Sequence, residues 1–153
     1  MNAAEPVDFV HQPDPDHPGW WTWNLSDPTR YNGHGLGHVL VQREGDRSVR
    51  VRLLPEHRHS NLLDAVHGGI VLGLADISLY AAARLVLGDR ILGAVTLELG
   101  NQFMGAGRIG EPLEAVTEVL HETGRMVFLR GVTMQGERMI GSFSGTLRKA
   151  SQR

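Results

Sequence analysis

The most apolar stretch of the chain holds a single acidic residue. Residues 65–83 read AVHGGIVLGLADISLYAAA, and Asp76 is their only Asp, Glu, Lys or Arg. An ionised carboxylate that is buried without a partner costs several kcal/mol, and no Lys or Arg lies within one helical turn of Asp76. Asp76 must therefore line a water-filled cleft, be paired, or be protonated. The alternative is an ordinary helix Asp that caps a neighbouring segment or reaches solvent.

Backbone donors precede this carboxylate. His67-Gly68-Gly69 opens the predicted helix, and a helix N-terminus presents free N–H groups and a partial positive charge. Because Gly68 and Gly69 lack side chains, their N–H groups can closely approach a ligand oxygen. Such donors can polarise a carbonyl and stabilise an oxyanion. The alternative is that the glycines only permit tight packing or a sharp turn.

The spacing of these two features predicts a dimer. Gly68 and Asp76 are eight residues apart, which is about 12 Å along a helix axis. One small reacting group cannot touch both on the same helix. If they cooperate, Gly68 of one subunit must face Asp76 of another, as in a two-fold dimer with antiparallel central helices. We therefore expect an obligate homodimer with its active sites at the interface.

The rest of the chain reads mainly as strands. Residues 38–54 alternate apolar and polar side chains on both sides of Glu44-Gly45-Asp46, which predicts a hairpin. An apolar helix follows, from about Gly68 to Leu87. Four more strands, in a meander, are predicted at 91–104, 113–121, 126–134 and 139–147. This order predicts an α+β fold, in which a curved antiparallel sheet wraps around one central helix buried nearly all round. An uncovered sheet edge should pair with another subunit.

Composition limits the possible functions. The 153 residues suggest one domain, and a net charge of -2 argues against nucleic-acid binding. No cysteine is present, which excludes thiolate metal ligands and a cysteine nucleophile. The N-terminus does not read as a signal peptide, and the longest apolar run carries Asp76 and is short for a membrane span. We expect a cytoplasmic protein that binds neither membrane nor nucleic acid.

The N-terminal 33 residues are predicted to form an irregular arm, which precedes a single domain at 34–150. Three prolines, at positions 13, 15 and 18, disfavour a helix there. Trp20, Trp21 and Trp23 follow them. Large aromatic side chains mostly serve burial, so we favour an arm that covers an apolar patch of the domain or of its partner subunit. The alternative is a wall of a substrate pocket.

Three segments resemble the hotdog-fold acyl-CoA thioesterases, in the phenylacetyl-CoA thioesterase-like (PaaI-like) group. HSNLLDAVHGGIVLGLADISLYAAA has that group's Asn, its HGG and its Asp nine residues after the His, at Asn61, His67 and Asp76. AVTLELGNQFMGAGRIGEPLEA resembles the group's bent strand, with Thr96 at its Ser/Thr position. HETGRMVFLRGVTMQGERMIGSFSGT is similar to its last two strands. The likeness covers about residues 35–148.

The resemblance implies hydrolysis of an acyl-CoA thioester with no cofactor beyond the coenzyme A of the substrate. Asp76 would attack the carbonyl or activate a water, and the N–H of Gly68 from the other subunit would polarise the carbonyl oxygen. Asn61 would hold the water or the thioester, and Thr96 would orient Asp76 or the water. The other implied substrate-site residues are His67 and Gly69, at the turn into the helix, and Arg125, which could meet pantetheine or a phosphate.

Several alternatives stay open. Arg125 could instead be a solvated turn residue, which we favour. Asp64 stands where many members have Gly; it either tolerates a left-handed backbone or adds a second carboxylate near the site. His57, His59 and His67 invite a metal site, and the strand-like spacing of His57 and His59 would put both on one side. No third ligand is evident beside them, so we expect solvent-exposed loop histidines and no metal.

A hotdog dehydratase and a non-catalytic acyl-CoA-binding scaffold are the competing functions. Few charged residues lie in the segments predicted to line the pocket, which favours an apolar or aromatic acyl group. The family often forms dimers of dimers, so a tetramer is a further expectation.

Overall fold

One long helix, α1 (Gly68–Leu87), lies against the concave face of a curved antiparallel sheet. The computed structural model describes residues 8–151. The strands are β1 (Phe9–Val10), β2 (Trp21–Thr22), β3 (Asn24–Leu25), β4 (Val39–Arg43), β5 (Ser48–Leu53), β6 (Val95–Phe103), β7 (Leu113–Glu122), β8 (Met126–Gln135) and β9 (Arg138–Arg148).

Seven strands form the main sheet in the order β2-β4-β5-β7-β8-β9-β6, and every neighbouring pair is antiparallel. The predicted α+β class and the hotdog arrangement of sheet and helix are confirmed. The predicted meander is wrong in one place, because β6 pairs with β9 and not with its sequence neighbour β7. The segment 104–112, which contains three glycines and a proline, is long enough to carry the chain across to β7, which instead pairs with β5.

The helix supplies most of one side of the core. Its bounds agree with the predicted ones, since it begins at Gly68 and stops at Gly88, whose φ of 70° ends the helix. Ser78 is fully buried; its hydroxyl donates to the Ala75 carbonyl oxygen (2.7 Å) and accepts from the Thr117 hydroxyl (2.9 Å). The Ser78 hydroxyl therefore links α1 to β7.

The expectation that α1 is buried nearly all round is wrong: 11 of its 20 residues are buried, and Gly69 and Asp76 are exposed. Asp76 is exposed, although its neighbours Ala75 and Ile77 are buried. The face of the helix that turns toward β6 is open because β6 is the last strand of the sheet.

The prediction that the apolar run is too short for a membrane span does not hold by length, since residues 68–91 are long and apolar enough by composition. Their burial within the fold identifies this segment as the core helix.

The strand β6 leaves an unusually long edge unpaired. It has nine residues, seven of which are exposed, and within residues 8–151 it pairs only with β9. Val95, Leu97 and Phe103 are each about half exposed. A long apolar edge of this kind is a template for pairing with another chain.

The N-terminal arm joins the sheet. β2 pairs with β4 at the opposite edge, and β1 and β3 form a small ladder of their own. Trp20 and Trp23 are buried, as a covering role requires, while Trp21 is exposed; Trp23 also lines a cavity, as the alternative of a pocket wall requires. The Asp14 carboxylate accepts hydrogen bonds from the rings of His17 and His38 (2.8 Å each). These bonds, opposed by burial, lower the pKa of Asp14 to about 2, so an ionised Asp14 fastens the arm to the segment before β4.

Candidate active site

Asp76 and Thr96 are joined by a hydrogen bond. The Thr96 hydroxyl donates to Oδ1 of Asp76 at 2.7 Å. The register of β6 shifts between Thr96 and Glu98, so that Leu97 is an extra residue opposite β9. Such a bulge re-aims a side chain, and here Thr96 meets the helix. Oδ2 of Asp76 has no hydrogen-bond partner within residues 8–151.

A cavity of about 210 Å³ lies beside this pair. Its polar lining comes from Asp76, Thr96 and Asn32. Its apolar lining comes from the helix, the sheet and the arm: Phe9, Trp23, Ile77, Tyr80, Ala94 and Leu147. Of the three alternatives for Asp76, the structure shows a cleft: apolar residues outnumber polar ones in its lining, but its accessible surface is more polar than apolar, with one carboxylate at its wall.

The N-terminus of α1 is shaped by His67. The Gly69 N–H donates to Nδ1 of His67 at 2.8 Å, so His67 is the N-cap residue. The donor of Gly69 is thus occupied. The Gly68 N–H donates to no group in the part of the chain that the structure describes. A Cβ at Gly68 would stand 3.3 Å from the Phe103 ring, which places the free donor beside the end of β6.

Asn61 organises the loop before the helix. Its Oδ1 accepts from the N–H groups of Leu63 (2.9 Å) and Ala65 (3.2 Å), while its Nδ2 takes part in no hydrogen bond within the described range. Asp64 has a φ of 56°, the left-handed backbone expected for it. The loop therefore keeps its shape with Asp in place of Gly, and the exposed Asp64 carboxylate lies at its surface.

His57 and His59 lie in a single helical turn, not in the strand-like spacing of the metal hypothesis. His59 is buried, against the expectation of a solvent-exposed loop histidine: its Nδ1 accepts from the Glu56 N–H (2.9 Å) and its Nε2 donates to the Gly35 carbonyl oxygen (3.1 Å). Burial, and then the charge of Arg58, lower the pKa of His59. Among residues 8–151, no group of three or more metal-ligating side chains is placed to hold an ion.

Arg125 lines a basic groove at the start of β6. The groove, about 800 Å³, is also bordered by Val95, Arg148 and Lys149. Lys149 is paired with Glu122, whereas the Arg125 and Arg148 guanidinium groups contact no carboxylate within the residues described. The groove touches Val95, the neighbour of Thr96, and so begins next to the Asp76 site.

The predicted residues therefore form two groups within one protomer. Asp76, at the middle of α1, meets Thr96, near the start of β6, and Arg125 lines the groove that reaches Val95. Asn61, His67 and Gly68 lie at the N-terminus of the same helix, about 12 Å away along its axis. Sequence reasoning missed Phe9, Asn32 and Tyr80 in the cavity lining. Of these three, only Tyr80 could have been predicted from the sequence, because it lies one helical turn after Asp76 on the predicted helix.

Comparisons with known proteins show the family and the fold of the chain. The model of the thioesterase superfamily matches residues 63–141, just over half of the chain. The chain is 33% identical over 111 residues to a Pseudomonas aeruginosa PAO1 protein described as "Putative esterase PA0474", and the match covers 72% of this chain and 81% of that protein.

Solved structures show the same fold. The Escherichia coli PaaI protein from the phenylacetic acid degradation operon superposes with a TM-score of 0.69 at 19% identity, covering 80% of this chain and 86% of that one. A hypothetical thioesterase with coenzyme A from Streptococcus pneumoniae TIGR4 gives 0.64 at 20% identity, covering 75% and 88%. The match to the family model and the identity to the Pseudomonas protein together show that the chain belongs to the thioesterase superfamily.

Proposed function

We propose that this protein is an acyl-CoA thioesterase in which Asp76 acts as the general base or nucleophile. The observation that carries the proposal is the carboxylate itself: one oxygen of Asp76 is fixed by Thr96, and the other has no hydrogen-bond partner among the described residues and lies at the wall of a cavity. A carboxylate held in this way can take a proton from water or attack a carbonyl.

A dimer formed through β6 would complete the site. Leu99 is the middle residue of β6, four residues from Val95 and four from Phe103. Antiparallel pairing of two β6 strands about Leu99 would set the partner's Phe103 opposite Val95. Because Gly68 lies against Phe103, the partner's Gly68 would come close to Thr96 and Asp76. The exposed apolar edge of β6 supports this pairing.

The reaction follows from these positions. Water, deprotonated by Asp76, forms the new C–O bond at the thioester carbon, and the carbonyl oxygen becomes an oxyanion. The free N–H of the partner's Gly68 donates to this oxygen. The C–S bond then breaks, and the coenzyme A thiolate takes up the proton that Asp76 received. If Asp76 instead attacks directly, it forms an anhydride that water hydrolyses, with the same products.

The two ends of the substrate match different surfaces. The acyl group enters the cavity beside Asp76, to which Phe9, Trp23 and Tyr80 contribute aromatic side chains, and this favours an apolar or aromatic acyl group. The coenzyme A part, which carries several phosphate charges, lies along the groove where Arg125 and Arg148 have no acidic partner among the described residues. Arginine is suited to such phosphates.

A cytoplasmic location and the pairing of two dimers remain predictions.

The test is release of free thiol from a panel of acyl-CoA thioesters by the wild type and by Asp76→Asn. The panel contains phenylacetyl, benzoyl, short aliphatic and long aliphatic groups. We expect the wild type to hydrolyse at least one member and the variant to lose about 10²- to 10⁴-fold in kcat, the usual contribution of a general base, while still binding the substrate. Asp46→Asn, which changes an exposed hairpin carboxylate, is the matched control and should keep wild-type rates.

Two results would contradict the proposal. A wild type inert across the whole panel would favour the non-catalytic acyl-CoA-binding scaffold. An Asp76→Asn variant as active as the wild type would remove Asp76 from the chemistry.

A further inference from the structure

Three aromatic residues separate the Asp76 cavity from a second cavity. The second cavity is about 190 Å³ in volume and is mostly apolar. Both cavities are lined by Phe9, Trp23 and Tyr80, which we call the aromatic wall. The outer cavity is completed by His11, Arg84, Leu85 and Leu92. Because the same three side chains line both cavities, the aromatic wall is the partition between them.

The rings of the aromatic wall pack on one another. Phe9 stacks on Tyr80 with ring centroids 6.0 Å apart and planes 11° apart, and it meets Trp23 at 5.1 Å. Trp23 is buried in the core, whereas Phe9 is 47% exposed. Phe9 is therefore the member whose removal would open the wall with the least damage to the core.

The wall is held in a fixed place. Phe9 lies in β1, which pairs with β3, with Phe9 opposite Leu25. At the end of β1, the Thr22 hydroxyl donates to the Val10 carbonyl oxygen at 2.8 Å. Further along the arm, the Asp14 carboxylate accepts hydrogen bonds from His17 and His38. Contacts on both sides of the arm thus keep Phe9 against Tyr80.

The position of Tyr80 on α1 determines the distance between Asp76 and the aromatic wall. Asp76, Tyr80 and Arg84 are spaced by four residues and share one face of α1. Tyr80 is about 6 Å and Arg84 about 12 Å beyond Asp76 along the axis. A group bound at Asp76 would meet the wall after roughly one helical turn. The cavity before it has a volume of about 210 Å³ in the single chain.

We infer that Phe9, Trp23 and Tyr80 set the length of the acyl group that the site accepts, and that Phe9 of the N-terminal arm is the specificity-determining residue. This inference rests on the proposed thioesterase function. The preferred substrate class is a thioester with a compact acyl group, an aromatic ring or a short chain that ends at the aromatic wall. A longer chain would have to displace Phe9 to enter the outer cavity.

The test changes Phe9 in two opposite directions. Phe9→Ala joins the two cavities, and Phe9→Trp enlarges the wall. The readout is the ratio of kcat/KM for decanoyl-CoA to kcat/KM for phenylacetyl-CoA. We expect the ratio to rise about tenfold or more in Phe9→Ala and to fall in Phe9→Trp, since a few methylenes in an apolar pocket change specificity by that order. A detached arm could not produce both shifts.

The control is Trp21→Ala, which removes an exposed ring of the same arm that lines neither cavity. It should leave the ratio unchanged. If the wild type is active but all three variants have its ratio, the inference is overturned and the thioesterase function stands.

A second measurement separates the two failures. Binding of S-alkyl-CoA thioethers of increasing chain length, which cannot be hydrolysed, is compared for the wild type and Phe9→Ala. If no thioester is hydrolysed, the proposed function fails. A shift toward longer thioethers in Phe9→Ala would then still support the aromatic wall, whereas unchanged preference or no binding would overturn it.

Discussion

The Thr96 hydroxyl fixes one oxygen of Asp76 and leaves the other available. This contact depends on Leu97, the extra residue of the β6 bulge. Without that residue, Thr96 would pair one position further along β9, and its side chain would have a different direction. The carboxylate is therefore held at a defined angle by a group that does not itself react. Thr96 is a positioning residue in this arrangement.

Removing this hydroxyl should lower turnover more than substrate binding. Thr96→Val keeps the β-branched shape that suits a strand but cannot donate to Asp76. A hydrogen bond to a charged group is worth about 1.5–3 kcal/mol, so we expect kcat to fall about tenfold to a hundredfold with KM little changed. Thr96→Ser, which keeps the hydroxyl, should retain most of the activity. Steady-state kinetics on the best thioester of the panel would decide, and equal rates for the two variants would remove the positioning role.

At the level of elements, local pattern was sufficient for the helix and the hairpins. The apolar run between Gly68 and Gly88 gave both ends of α1, and turn residues gave the β4–β5, β7–β8 and β8–β9 hairpins. These features depend on neighbours in sequence. The Asn-HGG-Asp spacing likewise depends on neighbours in sequence, because all the predicted site residues except Thr96 and Arg125 lie on one loop and one helix; their roles stay a prediction.

Long-range packing decided what the pattern missed. Nothing in residues 95–103 states that β6 pairs with β9, or that Leu97 bulges. The contact between Phe9 and Tyr80 joins residues far apart in the chain, so the sequence did not predict these two residues in the cavity lining. For the arm it offered only the tryptophans, as a cover of apolar surface or, as the alternative, a pocket wall. The exposure of Asp76 also depends on its lying beside an edge strand and not on its own apolar neighbours.

The loop between β5 and α1 should be sensitive to acid through His59. Burial holds the pKa of His59 below its ordinary value of 6.5, so below about pH 6.5 the unfolded chain binds a proton more readily than the folded one. The free energy of unfolding should therefore fall as the pH is lowered from 7 to 5. Replacing His59 with Gln should flatten this dependence and lower stability at pH 7 by about 1–3 kcal/mol, because the Glu56 N–H and Gly35 carbonyl lose a matched partner.

Denaturant unfolding at several pH values measures this effect. His57→Gln is the control, because His57 is exposed in the same helical turn. It should keep the wild-type slope. A slope in His59→Gln equal to that of the wild type would show that other groups cause the acid sensitivity.

At the scale of the whole molecule, each protomer holds the two parts of the proposed site at separate places on α1. Asp76 and Thr96 face the open edge, and the free Gly68 N–H lies beside Phe103 at the far end of β6. Neither half contains both a base and an oxyanion donor. A two-fold axis near Leu99 would bring complementary halves together twice, giving two equal sites per dimer. The dimer is thus a requirement of the proposed chemistry.

Gly68→Pro removes the donor, and Gly68→Ala, which keeps the N–H but has a Cβ at the same place, 3.3 Å from the Phe103 ring, is its steric control. Proline is favoured at the first position of a helix, where its missing N–H is not needed for the helix. His67, the preceding residue, already has the extended backbone (φ -61°, ψ 138°) that a following proline requires. The helix should therefore form normally. Loss of one oxyanion donor should lower kcat by about 10²- to 10³-fold.

Mixing two inactive variants then tests whether the sites are shared. In a mixed dimer of Gly68→Pro and Asp76→Asn, one site has both the intact Asp76 and the intact Gly68 of the other subunit, and the second site has neither. After unfolding and refolding together in equal amounts, half of the dimers are mixed, so activity should return to about a quarter of the wild-type value. Sedimentation at the assay concentration would establish the dimer independently. If the refolded mixture stays as inactive as its parents while it sediments as a dimer, Gly68 and Asp76 do not act across the interface.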